Sequence, residues 1–434
     1  MKFKRFLFLS ILMVPFAIFS QDTLYLSLQS AIDLALKNNP RIHLAKDEIR
    51  LAKQQVREAY ASLYPQIEAA INYTRNIQSP VFFSDIAPKP IKIGRNNQYS
   101  IGVSVRQAIW LGGKLFTAQD IAKLAVEGAR ENLQLSKENI VAEVTKTFYS
   151  VLLMKEIARV TEETLESARA NYQNILQLKR EGVASEFDSI TARVRVANLE
   201  PEVIKARSNV QTVSNALKFL LDIPLSQPVK VIGNLEFSPP PSLENELEFA
   251  LANRRELSAL KIQREILKKL KKIEKANYFP SIFAFGNYQN QGSSEDFDFN
   301  ERERATIVNA GVGISIPLFN GFQTAARVQQ AQIRIDEMNR QIALLSQQIK
   351  LEVENSRLKL EEARKRIEAQ TQSVQQAEKA LEIAKVRFRS GLSTQVELTN
   401  AETVLEQTKL AQLSAIYDYL IAKTDYEKAL GILQ

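Results

Sequence analysis

Apolar residues recur along this chain with two periods, and each period predicts a different element. From Gln323 to Ser390 neither Gly nor Pro occurs, and Val328, Ala331, Ile335, Met338, Ile342, Leu345 and Ile349 step alternately by three and four. That is the heptad seam of a helix packed on other helices. The 68 uninterrupted residues correspond to roughly 100 Å of helix. Ile349 to Val353 is a stutter, after which the seam resumes at Leu360, Ala363 and Ile367 and continues to Phe388. A stutter locally unwinds a supercoil, so a straighter helix is expected there. Beyond Gly391 a second seam runs from Leu398 through Ala415 to Leu433. Many seam positions are Ala, Ser or Thr, which lets helices approach closely. Gly182 and Gly391 suit the left-handed position that ends one long helix before the next begins. Pro201 interrupts the return helix of the first half, so a kink or break is expected there.

Other segments alternate with period two. Ile67, Ala69, Ile71 and Tyr73 alternate with Glu68, Ala70, Asn72 and Thr74. Ile101, Val103 and Val105 alternate with Ser100, Gly102, Ser104 and Arg106. Ala310, Val312, Ile314, Ile316 and Leu318 alternate with Asn309, Gly311, Gly313 and Ser315. A fourth strand around Ile282 is less regular, because Phe283 and Phe285 share a face. Strands of about ten residues with one apolar and one polar face, flanked by Tyr64, Tyr73, Tyr99, Trp110, Phe279 and Tyr288, resemble outer-membrane barrel strands with aromatic girdles. The same pattern fits a soluble four-stranded sheet packed on helices.

The chain also repeats itself. Ala35-Leu36-Lys37-Asn38 returns as Ala250-Leu251-Ala252-Asn253, and Tyr64-Pro65 as Phe279-Pro280, at an offset of 215. Further on the offset is 209, carrying Gly102 onto Gly311, Trp110 onto Phe319, Gly182 onto Gly391 and Leu221 onto Leu430. The difference falls between Tyr73 and Tyr99, where the first copy has a longer loop. Self-similarity at this scale predicts two copies of one plan. Each copy reads as a helical stretch, a strand, a loop, a second strand, a very long helix, a Gly turn and a return helix. The expected division is a leader over 1–20, a first repeat over 21–238 and a second over 239–434, joined at the stiff Pro239-Pro240-Pro241.

Composition narrows the function. Lys2, Lys4 and Arg5 precede an apolar run from Phe6 to Phe19, with cleavage expected after Ser20: a secretory signal peptide. No other segment approaches a membrane-spanning helix. Removing the leader's basic residues leaves 54 − 49 = +5, a modest and dispersed charge that gives no argument for nucleic acid. Cysteine is absent and histidine occurs once, as His43. Disulfides, thiolate metal sites and an N-terminal lipid-bearing cysteine therefore have no residues to use, and a single histidine nearly excludes imidazole metal clusters and Ser-His-Asp catalysis. His43 reads as a surface side chain, and Lys268-Lys269-Leu270-Lys271-Lys272 as a solvated helical face. No cofactor motif occurs, no acidic pair on the helices stands in a recognisable cleft motif, and i,i+4 partners explain most of them.

Four strands cannot close a barrel in a bilayer, where about eight is the smallest number. An open edge in lipid would leave unpaired backbone groups at several kcal/mol each. If these strands enter a membrane, several chains share one barrel. The seam of a helix about 100 Å long likewise cannot be buried in a compact monomer.

At this point the residues resemble the TolC family of outer-membrane efflux and secretion channels. The resemblance spans the mature chain. It is carried by the doubled plan, by Ala31-Ile32-Asp33-Leu34-Ala35-Leu36-Lys37-Asn38-Asn39-Pro40, by Tyr64-Pro65, by Trp110-Leu111-Gly112-Gly113 with Phe319-Asn320-Gly321, and by Arg387-Phe388-Arg389-Ser390-Gly391-Leu392-Ser393-Thr394. It implies an α+β membrane protein: a homotrimer with a 12-stranded barrel, four strands per chain, continuous with a periplasmic α-helical coiled-coil barrel. Loops Arg75–Gln98 and Gln289–Arg304 would face outside, the second carrying Glu295, Asp296, Asp298, Glu301 and Glu303. It implies outer-membrane lipid around the barrel. Its partners would be a periplasmic adaptor (membrane fusion protein) and an inner-membrane transporter of RND, ABC or MFS type. The duct itself would perform no chemistry and hold no cofactor.

The resemblance also assigns residues. Gly182-Val183-Ala184-Ser185 and Gly391-Leu392-Ser393-Thr394 would be the helical tips that meet the adaptor. The family's two acidic constriction positions match Glu397 and Asn400, its linking tyrosine matches Phe388 and its linking arginine Ser393. Only Glu397 keeps its charge, and Asp188 stands at its place in the first half. The rival readings are a pore-free periplasmic coiled-coil scaffold and an exported hydrolase with paired carboxylates.

Overall fold

The computed structural model describes residues 23–78, 81–83, 91–92, 94–240, 244–296 and 304–433. The expected leader, and Asp298, Glu301 and Glu303 of the second loop, lie outside the described residues. The chain begins with β1 (Leu24–Leu26), α1 (Leu28–Asn38) and α2 (Pro40–Ala61). It continues through β2 (Gln66–Arg75), the short β3 (Val81–Phe82) and β4 (Ile91–Lys92), and β5 (Asn97–Trp110). The helices α3 (Lys114–Arg180) and α4 (Glu186–Leu220) follow, then β6 (Val229–Val231). The second half holds α5 (Glu246–Asn253), α6 (Arg255–Lys275), β7 (Ser281–Ser294), β8 (Arg304–Ser315), α7 (Gln323–Arg389) and α8 (Gln395–Leu430). Contacts divide the chain into two units. One takes residues up to Asn39 with Ile140–Pro241 and Leu358–Asp425; the other takes Pro40–Asn139, Ser242–Arg357 and Tyr426–Gln434.

The second unit holds the sheet, antiparallel throughout in the order β2-β5-β7-β8. The register puts Ile67, Ala69, Ile71 and Tyr73 opposite Val105, Val103, Ile101 and Tyr99. It continues that face through Tyr288 and Gly286 to Val308 and Ala310. Glu68, Asn72, Ser100, Ser104, Asn287, Gln289 and Asn309 share the other face. Phe283 and Phe285 break the alternation for a visible reason. They stand opposite Gly313 and Gly311 on the polar face, where a Cβ on Gly311 would lie 2.9 Å from the Phe285 ring. The Arg106 guanidinium covers the Phe283 ring at 4.7 Å. A bulge between Ala108 and Trp110 sets Trp110 opposite Ile282, and the indole packs edge-on against Phe279 at 6.2 Å. Both outer strands, β2 and β8, are exposed along almost their whole length.

Two strand limits differ from the sequence expectation. β7 extends past Gln289 to Ser294, with Asn290–Ser294 paired to Asn97–Ile101, so the expected second loop before Glu295 is strand. β8 ends at Ser315, and Ile316 and Leu318 lie beyond it, at Pro317. In the same unit Arg254 is buried between α5 and α6. Its guanidinium donates to Glu256, to Glu352 at 2.9 Å and to the Ala429 carbonyl at 3.2 Å.

The first unit is helical, with one parallel pair, β1 on β6. Asn39 Nδ2 donates to the Leu220 carbonyl at 2.8 Å. Asn39 and Arg254 stand at the 215 offset, and Leu220 and Ala429 at the 209 offset, so the same bond is made twice. Along α7 the seam residues Leu360, Ala363, Val374 and Ala377 are buried, as are Leu398, Ala415 and Tyr419 on α8. Helix α4 passes through Pro201 without a break. Leu199 and Val203 on either side of the proline are buried against Leu165 and Ala168 of α3. That packing offsets the lost backbone bond, about 3 kcal/mol or more in an unsupported helix. The linker after β6 lies on α8: the Phe237 and Tyr419 rings are 4.7 Å apart, and Tyr419 donates its hydroxyl to the Ser238 carbonyl.

Candidate functional site

The residues that the tip motifs single out form two turns of one construction. At the end of α3 the Val183 N–H reaches the Leu178 carbonyl at 2.8 Å and the Gly182 N–H the Lys179 carbonyl at 3.1 Å. At the end of α7 the Leu392 and Gly391 N–H groups reach Arg387 and Phe388 at 2.9 and 3.0 Å. This is a Schellman closure, which needs a left-handed residue after the helix. Gly182 (φ +77°) and Gly391 (φ +70°) supply it. The following apolar residues, Val183 and Leu392, are 72% and 71% exposed.

The next helix of each pair starts on a cap. Ser185 accepts from the Asp188 N–H at 3.1 Å while Asp188 Oδ2 accepts from the Ser185 N–H at 3.0 Å and its hydroxyl at 2.6 Å. That reciprocal box satisfies N–H groups which the first turn leaves unpaired. Thr394 Oγ1 accepts from the Glu397 N–H at 3.3 Å. The pattern Ser/Thr-x-x-Asp/Glu at Ser185-Asp188 and Thr394-Glu397 was readable as two helix starts, a signal that the reading of these acids as a constriction passed over. Asp188 is thus engaged in its own cap. Glu397 faces the Arg387 guanidinium at 3.7 Å, both groups about half exposed. Asn400 is exposed and Phe388 half-buried. Ser393 Oγ is buried without a hydrogen-bond partner.

A charged cluster farther along these helices was not legible, because its members are far apart in sequence. Arg195 of α4 donates to Glu406 of α8 at 2.8 Å, with side-chain exposures of 22% and 9%. Glu402, one turn earlier, lies beside it. Burial pushes both carboxyls above the usual glutamate range, against the pull of Lys385 and Arg195 on Glu402 and of Arg195 on Glu406. Both line a cavity of about 190 Å³ whose wall also includes Val160 and Glu163 of α3 and Leu381 of α7. Among the described residues no group of His, Asp or Glu side chains could hold a metal ion. No described helix is long and apolar enough to cross a membrane.

Comparison with known proteins supplies the family. The chain matches the family described as outer membrane efflux protein over residues 31–222 and 247–432. The chain belongs to the outer membrane efflux protein family. This is the TolC family to which the tip, junction and repeat motifs pointed. The cobalt-zinc-cadmium resistance protein CzcC of Cupriavidus metallidurans is 23% identical over 408 residues, 94% of this chain and 90% of CzcC. The alkaline protease secretion protein AprF of Pseudomonas aeruginosa is 21% identical over 425 residues, 95% of this chain and 86% of AprF. The CmeC outer membrane channel of Campylobacter jejuni superposes with a TM-score of 0.77 at 20% identity, covering 93% of this chain and 85% of CmeC. As an outer membrane efflux protein the chain sits in the outer membrane, and its family consists of channels rather than enzymes.

Proposed function

We propose that three copies of this chain form a passive exit duct, each giving four strands to one 12-stranded barrel above a periplasmic tunnel of helices. The observation that carries this reading is the sheet. It has one apolar face, one polar face and two outer strands exposed along nearly their whole length. In lipid such edges cost several kcal/mol per unpaired group unless another copy covers them. Two copies would give eight strands, an interior filled by side chains; three leave a lumen. The two equivalent bonds, Asn39 to Leu220 and Arg254 to Ala429, support two structural repeats divided at Pro239–Pro241.

Transport force would come from an inner-membrane pump of RND, ABC or MFS type, through a periplasmic adaptor that docks on the tips Gly182–Ser185 and Gly391–Thr394. Glu397 would set the charge of the constriction, with Asn400, Phe388 and Ser393 lining it and Asp188 contributing less because its carboxylate is held in a cap. CzcC and AprF are named for metal resistance and protease secretion, so the shared plan serves unlike cargo and the pump selects it. We place the attachment to the membrane in the barrel, since the sequence offers no cysteine for a lipid thioether. A pore-free scaffold accounts for the helices but leaves the apolar sheet face in water.

The absence of cysteine makes the test clean. Within one chain β2 and β8 are separated by two strands, about 14 Å, beyond the Cα separation of about 4.4–6.8 Å that a disulfide needs. Ala69→Cys combined in turn with Thr306→Cys, Val308→Cys, Ala310→Cys and Val312→Cys should give covalent trimers in one register. A scan yielding monomers alone would remove the shared barrel.

A further inference from the structure

The 215 offset carries more than the fold. Lys46, Lys53, Arg57 and Tyr64 on α2 and its exit correspond to Lys261, Lys268, Lys272 and Phe279 on α6 and its exit. The spacings of seven and four put the three basic residues of each set on one helical face, and the aromatic residue follows just beyond the helix. All eight are exposed. Each stripe runs toward the sheet and ends on an aromatic ring. Phe279 touches Trp110, whose partner in the ladder, Ile282, lies on the apolar face. Lys275 joins the α6 stripe, and Lys123 of α3 lies 5.7 Å over the Tyr60 ring on α2.

We propose that the basic groups at the sheet end of these stripes form a collar that binds anionic phospholipid headgroups of the leaflet on the helical side of the sheet, an inference that rests on reading the sheet as a membrane barrel. Lys275 ends α6 four residues before Phe279, and Arg57 and Lys272 stand seven residues before the rim aromatics, distances on the order of 10 Å. A headgroup layer is about 5–8 Å deep, and long basic side chains extend toward it. Lys53 and Lys268 lie about 16 Å away, and Lys268 is paired with Glu265 at 2.8 Å. Lys46 and Lys261, at about 27 Å, are some three Debye lengths out. Glu58 is turned about 100° from Arg57. The exposed positive charge of the two stripes nearest the rim is therefore Arg57, Lys272 and Lys275, while Lys114 at the start of α3, nearer still, is half-buried and donates to Asn277. An apolar strand face, an aromatic rim and then cations is the order in which a bilayer presents chains, interface and phosphate.

Trp110 is the single tryptophan and sits at this rim, so its fluorescence reads the local lipid. The full chain is reconstituted into phosphatidylcholine vesicles containing either brominated phosphatidylglycerol or brominated phosphatidylcholine at equal mole fraction. Phosphatidylglycerol should quench as though enriched about fivefold at low ionic strength, the preference shrinking with salt. Arg57→Gln/Lys272→Gln/Lys275→Gln should lose the preference and Lys46→Gln/Lys261→Gln should keep it. Equal quenching of the unmodified protein by the two lipids overturns the collar, as does an unchanged preference in the triple variant. Quenching by neither lipid means that Trp110 is outside the bilayer, and then the barrel reading falls with the proposal.

Discussion

At Gly391 and Gly182 the backbone is left-handed, and a Cβ built on either residue meets nothing within 4 Å. Alanine there costs only the conformational penalty, about 1–2 kcal/mol. Gly112 has a similar φ of +64°, but its Cβ would lie 2.8 Å from the Ala276 carbonyl oxygen, in the turn that carries α6 into β7. Guanidinium titration should therefore show Gly112→Ala losing at least twice as much stability as Gly391→Ala or Gly182→Ala. Glu402 offers a pH test. Burial raises its carboxyl in the folded state, so the proton is held more tightly there than in the unfolded chain. The associated stability is fully present below about pH 4 and is lost as pH rises through the raised folded value. Glu402→Gln should match the parent in thermal unfolding near pH 4 and exceed it at pH 7. A variant less stable at pH 7 would mean that the ionised carboxylate is favoured in place.

Between helices, the two arginine–glutamate pairs near the tips differ in burial. Arg195 and Glu406 tie α4 to α8 largely shielded from water, whereas Arg387 and Glu397 are about half exposed. Removing the cation of a buried pair leaves its partner charged without compensation, typically 3–5 kcal/mol, while an exposed pair is worth about 0–1. Arg195→Met should cost about 3 kcal/mol in denaturant unfolding and Arg387→Met less than 1. The elements themselves were mostly legible. Heptad spacing and the lack of Gly or Pro located α7 and α8, the two glycines located the tips, and alternation located β2 and β5. What escaped depends on partners distant in sequence. Pro201 reads as a break because its neighbours' burial on α3 is invisible in a one-dimensional pattern. Residues 290–294 read as loop because Asn, Gln, Gly and Ser show no alternation, and only the ladder to β5 makes them strand. Arg195 and Glu406, 211 positions apart, carry no local signature at all.

For the assembly, the sheet's two faces make opposite demands at adjacent residues of the same edge strand. Val308 is on the apolar face and exposed; Asn309 is on the polar face, accepting a hydrogen bond from Asn287 at 2.9 Å. If the apolar face meets lipid, Val308→Lys puts a cation into hydrocarbon at about 2–4 kcal/mol per chain near the midplane. Three chains multiply that cost, so the heat-modifiable trimer should disappear from the membrane fraction. Asn309→Lys puts its cation into the lumen, where water and the loss of one hydrogen bond are all it encounters. That trimer should assemble normally, and three added positive charges around one lumen should shift reversal potentials in planar bilayers toward anions. Both outcomes are needed. Normal assembly of Val308→Lys would place that face away from lipid, and unaltered selectivity of Asn309→Lys would mean that ions do not pass along the polar face.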